Sequence, residues 1–200
     1  MYNFLKLLSS GLFKLTGGIT ISGRDHIPAR GPFILVANHQ SLIDPLVLGV
    51  CIPRTIIFLA AAYLFELPFI GRIITAGGAL PVNHPKGDLG TIKQALANLS
   101  TGGAIGVFPE GGVSSDGKLQ PFLPGWAFLA LKAGVPAIPA AISGTRRVLP
   151  VGKYVPRRFP ISVVIGKPLF PSTQPRTCRQ SINKLSREMA QTIAGLLKSI

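Results

Sequence analysis

His39 and Asp44 stand five positions apart in the stretch V-A-N-H-Q-S-L-I-D-P, residues Val36 to Pro45, which starts on the last residue of the apolar run Phe33 to Val36. A histidine held in one tautomer by a carboxylate is a general base for deprotonating a hydroxyl. On a regular helix five residues turn the chain by about 500°, which would point the two side chains about 140° apart. They can converge if the chain between them is a loop. Pro45 makes that loop necessary: it disfavours the α region for Asp44, it is tolerated at the first helical position, and Asp is a favoured N-cap. Asn38 to Asp44 therefore reads as a strand-to-helix connection, with His39 at the carboxyl end of a buried strand, where ligands bind in open α/β sheets. Taken alone, the pair is also what a capping aspartate beside an incidental histidine would give. It brings no nucleophile of its own, since no G-x-S-x-G elbow occurs and Ser41 is too near His39 for a serine relay. The hydroxyl then belongs to a substrate.

A second constellation, Val107-Phe108-Pro109-Glu110-Gly111-Gly112, is again an apolar run that ends in a turn with an acid. Its glycines can bring backbone N–H groups close to a developing oxyanion, a need shared by all acyl transfers. A glutamate in an ordinary Pro-Gly turn gives the same pattern.

The elements that must position these residues alternate between short apolar runs and longer amphipathic stretches, the signature of an α/β domain. Strands are expected near Phe33 to Val36, Thr55 to Leu59, Ala79 to Val82, Ala104 to Phe108, Ala137 to Ile142 and Ile161 to Ile165. Helices are expected near Pro45 to Cys51, Phe69 to Ala76, Leu89 to Leu99, Gly125 to Ala133 and Cys178 to Leu197. In the last of these, Ile182, Leu185, Met189 and Ile193 follow the helical period, leaving a basic outer face.

At 200 residues and 47% apolar composition, the chain fits one globular domain with a substantial core. Its 21 Lys and Arg stand against 7 Asp and Glu, a net charge of +14. No acid lies between Asp116 and Glu188, while Arg146, Arg147, Lys153, Arg157 and Arg158 crowd together. Such a face fits nucleic acid, an anionic membrane or a phosphorylated cofactor, or simply keeps an apolar protein soluble. The basic residues are not interleaved with a regular set of stacking aromatics, which argues against nucleic acid. Cys51 and Cys178 match no metal or redox spacing and read as reduced cytoplasmic thiols. The run Thr55 to Phe65, between Arg54 and Glu66, is too short to span a bilayer, and the N-terminus lacks a convincing secretory cleavage site. Phe4, Leu5, Leu7, Leu8, Leu12, Phe13 and Leu15 recur at near-helical spacing, as in a helix lying in a membrane interface or packed on its own domain.

N-H-x-x-x-x-D (Asn38, His39, Asp44), followed about seventy residues later by F-P-E-G (Phe108 to Gly111), resembles the glycerolipid acyltransferase family that includes the 1-acylglycerol-3-phosphate (lysophosphatidic acid) acyltransferases. Gly78 to Asn83 resembles that family's second block and Val135 to Ala140 its fourth, so the match runs from about Ser22 to Leu169. The resemblance implies one acyltransferase domain over 21–200, with a central, mostly parallel or mixed sheet flanked by helices, after an amphipathic membrane-associating helix within 1–20. It implies that His39 takes the proton of a lysophospholipid hydroxyl, which attacks the thioester of acyl-CoA or acyl-carrier protein, most simply giving phosphatidic acid. Asp44 would orient His39; Glu110 and Gly111 would position the acceptor, with Asn38, His84 and Lys118 as further substrate-binding residues. No metal, cofactor or acyl-enzyme is implied, and no nucleic acid. The implied partner is an anionic membrane surface on the cytoplasmic side, bound peripherally or monotopically.

Three positions depart from the family pattern. His84 stands where the second block usually closes on arginine, Gly112-Val113 replaces a common Thr-Arg, and no lysine precedes Pro124-Gly125. These are the positions expected to hold the acceptor's phosphate, for which bidentate arginine is hard to replace. His84, Lys86, Lys118 or Arg72 are possible substitutes. Otherwise the acceptor is a lysolipid with another head group, such as an acylated amino acid. A non-catalytic basic protein that binds membrane or nucleic acid is the reading from another class.

Overall fold

The computed structural model describes residues 2–83, 89–171 and 178–200. Among them, helices α1 (Tyr2–Leu15), α2 (Asp44–Cys51), α3 (Ile70–Ala76), α4 (Leu89–Ser100), α5 (Gly125–Ala133), α6 (Thr145–Val148) and α7 (Arg179–Leu197) surround a single sheet. Its strands are β1 (Ile19–Ser22), β2 (Phe33–Ala37), β3 (Ile56–Ala61), β4 (Leu80–Val82), β5 (Ala104–Val107), β6 (Ala137–Ser143) and β7 (Ile161–Ile165), in the order β1-β7-β6-β2-β5-β3-β4. All neighbours are parallel except β6 and β7, so the sheet is mixed.

β2 is uninterruptedly apolar because it lies mid-sheet with helices on both faces. Phe33, Leu35 and Ala37 pack with Val47 and Leu48 of α2 and Phe13 of α1. Ile34 and Val36 alternate to the other face, against Ala95 and Leu99 of α4, Trp126 and Ala127 of α5 and Met189 of α7. From β2 the chain leaves through α2 toward β3; from β5 it leaves through α5 toward β6. The two exits diverge to opposite faces, so a crevice opens at the carboxyl ends of β2 and β5, the switch point of the sheet.

The expected elements lie within two residues of the observed ones, and β7 and α5 have the expected bounds. β1 and α6 were not expected; each is four residues long, too short to show a period. α2 begins one residue earlier than expected, with Ile43 in the cap position and Pro45 in the first turn. Asp44 is therefore not the cap of its own helix, and its carboxylate turns back toward the preceding loop.

α1 docks on the domain through Phe13, through a hydrogen bond from the Lys6 ammonium to the Ile52 carbonyl, and through the Tyr2 hydroxyl, which accepts the Ile56 N–H at 3.3 Å. Its outer side exposes Phe4, Leu7, Leu8, Leu12 and Leu15, the last at 75%. No helix among the described residues is long and apolar enough to cross a membrane. Cys51 and Cys178 are both free thiols, and burial pushes the Cys51 pKa up to about 11, leaving it protonated at neutral pH.

Candidate active site

The register of β2 on β5 sets the site. Val36 pairs with Val107, so His39 and Glu110, each three residues further on, emerge side by side at the carboxyl edge. The His39 backbone N–H donates to Glu110 Oε1 at 2.7 Å, and the Gln120 N–H donates to Oε2 at 2.8 Å. Glu110 thus braces the loop that carries His39 with one oxygen and holds the far end of its own loop with the other.

Between Asn38 and Asp44 the chain curls so that three donors converge on Asp44 Oδ2: His39 Nδ1 at 2.8 Å, the Gln40 N–H at 2.6 Å and the Ser41 N–H at 2.8 Å. Asp44 is fully buried, while His39 remains slightly exposed to the crevice. The carboxylate holds the proton on Nδ1, which leaves Nε2 as the basic nitrogen. Asp44 Oδ1 is buried with no hydrogen-bond partner among the described residues.

A second constraint fixes the plane of the imidazole. Its ring stacks on Phe108 with centroids 4.1 Å apart and planes 20° from parallel, and Phe108 stacks in turn on Phe58 at 5.6 Å. Gly106 makes room for that column, since a Cβ there would lie 2.4 Å from the Phe58 ring. Phe108→Leu is expected to lower turnover about tenfold with KM little changed, and to cost about 1 to 2 kcal/mol of stability. Steady-state kinetics with a denaturation curve checks both; unchanged turnover would mean that Asp44 alone orients the ring.

The other residues singled out in the sequence fall as follows. Asn38 was expected at the substrate, but it is 1% exposed and its amide is engaged by Ile142, Nδ2 donating to the carbonyl at 3.0 Å and Oδ1 accepting the N–H at 2.8 Å. It carries the β2–β6 pairing one step beyond the end of β2 instead of reaching into the crevice. Gly111 has φ of +77° and sits so close to Leu123 that a Cβ would lie 2.7 Å from Leu123 Cδ1. It helps line a cleft of about 360 Å³ with Ala61, Ala62, Tyr63, Val82 and Leu123, which opens beside Glu110. Lys118 is exposed on the loop beyond Glu110, its backbone fixed by Asp116, Ser114 and Gln120. His84 and Lys86 lie outside the described residues.

Several further supports of the loop carry no mark in the sequence. Ser41 Oγ donates to the Leu149 carbonyl at 2.7 Å, and Gln40 Nε2 donates to the Gly117 carbonyl at 3.2 Å. The Ser114 N–H donates to the His39 carbonyl at 2.9 Å, and Arg146 Nη1 holds the Ser114 carbonyl at 3.1 Å. All are contacts between distant segments in which at least one partner is a backbone group, so no side-chain spacing marks them.

Burial is the largest influence on Glu110 and raises its pKa above the ordinary carboxylate value, although the Gln120 and His39 N–H groups pull it back. The folded protein therefore holds this proton more tightly than the unfolded chain does. Its contribution to stability is full below the ordinary carboxylate pKa and is lost as pH rises through the raised one. Glu110→Gln cannot titrate. The wild-type Tm minus the variant Tm should therefore fall as pH rises through the window just above the ordinary carboxylate range, then level off. Thermal unfolding across a pH series checks this, and a rising difference would contradict it.

A carboxylate-held histidine at the switch point of a mostly parallel sheet is the arrangement a base-catalysed transferase or hydrolase would use. Comparison with known proteins narrows the class. A family model described as Acyltransferase matches residues 18–143. A chloroplastic 1-acyl-sn-glycerol-3-phosphate acyltransferase of Brassica napus is 30% identical over 173 residues, 84% of this chain and 50% of that one. An enzyme of the same name from Bacillus subtilis is 28% identical over 170 residues, 84% of this chain and 82% of that one. The crystal structure of the 1-acyl-sn-glycerophosphate acyltransferase PlsC from Thermotoga maritima superposes with a TM-score of 0.79 at 25% identity, covering 98% of this chain and 79% of that one. The chain belongs to the acyltransferase family. It spans about half the length of the chloroplastic relatives.

Proposed function

We propose that the protein transfers a fatty acyl chain from a thioester, acyl-CoA or acyl-carrier protein, to the free hydroxyl of a lysophospholipid, with 1-acylglycerol-3-phosphate as acceptor and phosphatidic acid as product. The observation that carries this reading is the 2.8 Å contact between His39 Nδ1 and Asp44 Oδ2 at the mouth of the crevice. His39 Nε2 takes the acceptor's hydroxyl proton while that oxygen attacks the thioester carbonyl carbon. Collapse of the tetrahedral intermediate breaks the C–S bond, and the proton on Nε2 passes to the departing thiolate. Asp44 stabilises the imidazolium formed between the two transfers. No acyl-enzyme intervenes, and no metal or cofactor is needed. Glu110 acts by fixing the His39 backbone and the loop through Gly111 against which the acceptor lies.

The names of the relatives support the acceptor. Gly112 and Val113, which replace the family's common Thr-Arg, favour a second reading in which the lysolipid carries another head group, such as an acylated amino acid. A competition assay separates the two. With labelled acyl-CoA and an equimolar panel of lysolipids, label should enter phosphatidic acid first. Label in another lipid, with lysophosphatidic acid untouched, would establish the second reading.

Both proposed substrates carry fatty acyl chains, which supports placing the site at a bilayer surface. Residues 1–20, with the exposed leucines of α1, are assigned to a membrane-associating segment, and 21–200 to the acyltransferase domain. The protein would lie peripherally or monotopically on the cytoplasmic face.

A further inference from the structure

Residues 151–158 are exposed without a break, and they follow α6 in a loop that the catalytic reading does not use. Backbone hydrogen bonds define the loop. The Arg157 N–H donates to the Val148 carbonyl at 2.7 Å and closes its base, and the Lys153 N–H donates to the Pro150 carbonyl at 3.1 Å. Gly152, at φ +75°, permits the turn between Pro150 and Lys153 on which Val151 is exposed. Val151 is 59% exposed, Tyr154 92% and Val155 76%, an arrangement water disfavours unless something covers it. Lys153, Arg157 and Arg158 share the same loop, Arg147 lies over the Phe159 ring at its foot, and no acid occurs anywhere from 117 to 187.

The loop also has a defined place. Leu149, at its start, accepts the Ser41 hydroxyl of the catalytic loop, and Phe159, just past its end, donates its N–H to Thr16 at the end of α1 at 2.7 Å. It therefore bridges the two parts that the proposed function brings to a lipid surface.

We propose that loop 150–158 is a docking surface for an anionic bilayer, separate from α1. Val151, Tyr154 and Val155 enter the interfacial region, and Lys153, Arg157 and Arg158 pair with lipid phosphates. Aromatic and aliphatic side chains beside guanidinium groups match the layered chemistry of the headgroup region, and the charge complements anionic lipid. Such a contact would set the orientation of the crevice toward the membrane, and it does not depend on which acyl acceptor the site uses.

The test is flotation of the full chain with phosphatidylcholine vesicles, with and without phosphatidylglycerol, over a salt series. Wild type is expected to favour the anionic vesicles. The double variant Arg157→Glu/Arg158→Glu should lose about tenfold or more of that affinity and most of its salt dependence. The triple variant Val151→Ser/Tyr154→Ser/Val155→Ser should lose the salt-resistant part. All five positions are exposed, so both variants should unfold at the wild-type temperature. In Tyr154→Trp, indole emission should shift to the blue on adding anionic vesicles, against a background of Trp126, which is already buried. Wild-type binding that both variants retain, no preference for phosphatidylglycerol, or no emission shift would overturn the proposal. So would salt-sensitive DNA binding without vesicle binding, or a loop variant that instead breaks up a dimer of this chain.

Discussion

His39→Ala is expected to lower acyl transfer by about 10²- to 10⁴-fold, the range a positioned general base contributes. That corresponds to about 3 to 5 kcal/mol of transition-state stabilisation. The loss should fall on kcat, because the imidazole acts only once the hydroxyl is in place. Folding should change by no more than about 1 kcal/mol: removing the ring frees one face of Phe108, while Asp44 Oδ2 keeps the Gln40 and Ser41 N–H groups. Thiol release from acyl-CoA, with thermal unfolding alongside, checks both halves. Full turnover in a folded variant would remove His39 from the chemistry.

Asp44→Asn should couple a catalytic and a structural loss that His39→Ala separates. The substitution keeps shape but removes the charge that three donors share. The remaining oxygen can take Oδ2's place, which puts the amide nitrogen at the buried Oδ1 position, where the wild-type oxygen has no hydrogen-bond partner among the described residues. Charge-assisted hydrogen bonds contribute about 1.5 to 3 kcal/mol, and a buried unsatisfied donor costs a similar amount. A fall in Tm of several degrees is therefore expected. Turnover should fall by about 10²- to 10³-fold, because the imidazolium loses its counter-charge and the tautomer is no longer imposed. A variant with wild-type kcat but reduced Tm would make Asp44 a loop brace only.

How much of this could be read from sequence depended on whether a feature is local. Pro45 sufficed to place a loop ahead of α2, although its steric constraint on the preceding residue did not keep Asp44 out of the helix, so the loop is Asn38–Ile43. The apolar run Phe33–Val36 gave the central strand for the same kind of reason. The two constellations could each be placed at a strand end, but their equal height could not, because it rests on the pairing of Val36 with Val107 across the sheet. Glu110 shows the limit most plainly. The family resemblance implies that it positions the acceptor; that both its oxygens receive backbone N–H groups is a use that no side-chain spacing records. Asn38 misleads for the same reason, its partner being the backbone of Ile142, 104 residues away. The stacking of Phe108 on His39 was also hidden, although both residues lie within the recognised motifs.

The most direct measurement follows both products at once. The purified chain is mixed with an acyl-CoA labelled in the acyl group, first alone and then with 1-acylglycerol-3-phosphate, and free thiol, labelled lipid and protein-bound label are quantified. Without acceptor, the thioester should stay intact and the protein unlabelled; with it, one thiol should be released for each acyl chain found in phosphatidic acid. Stoichiometric label on the protein, or thioester left untouched by every lysolipid supplied to the folded chain, would contradict direct, His39-assisted transfer.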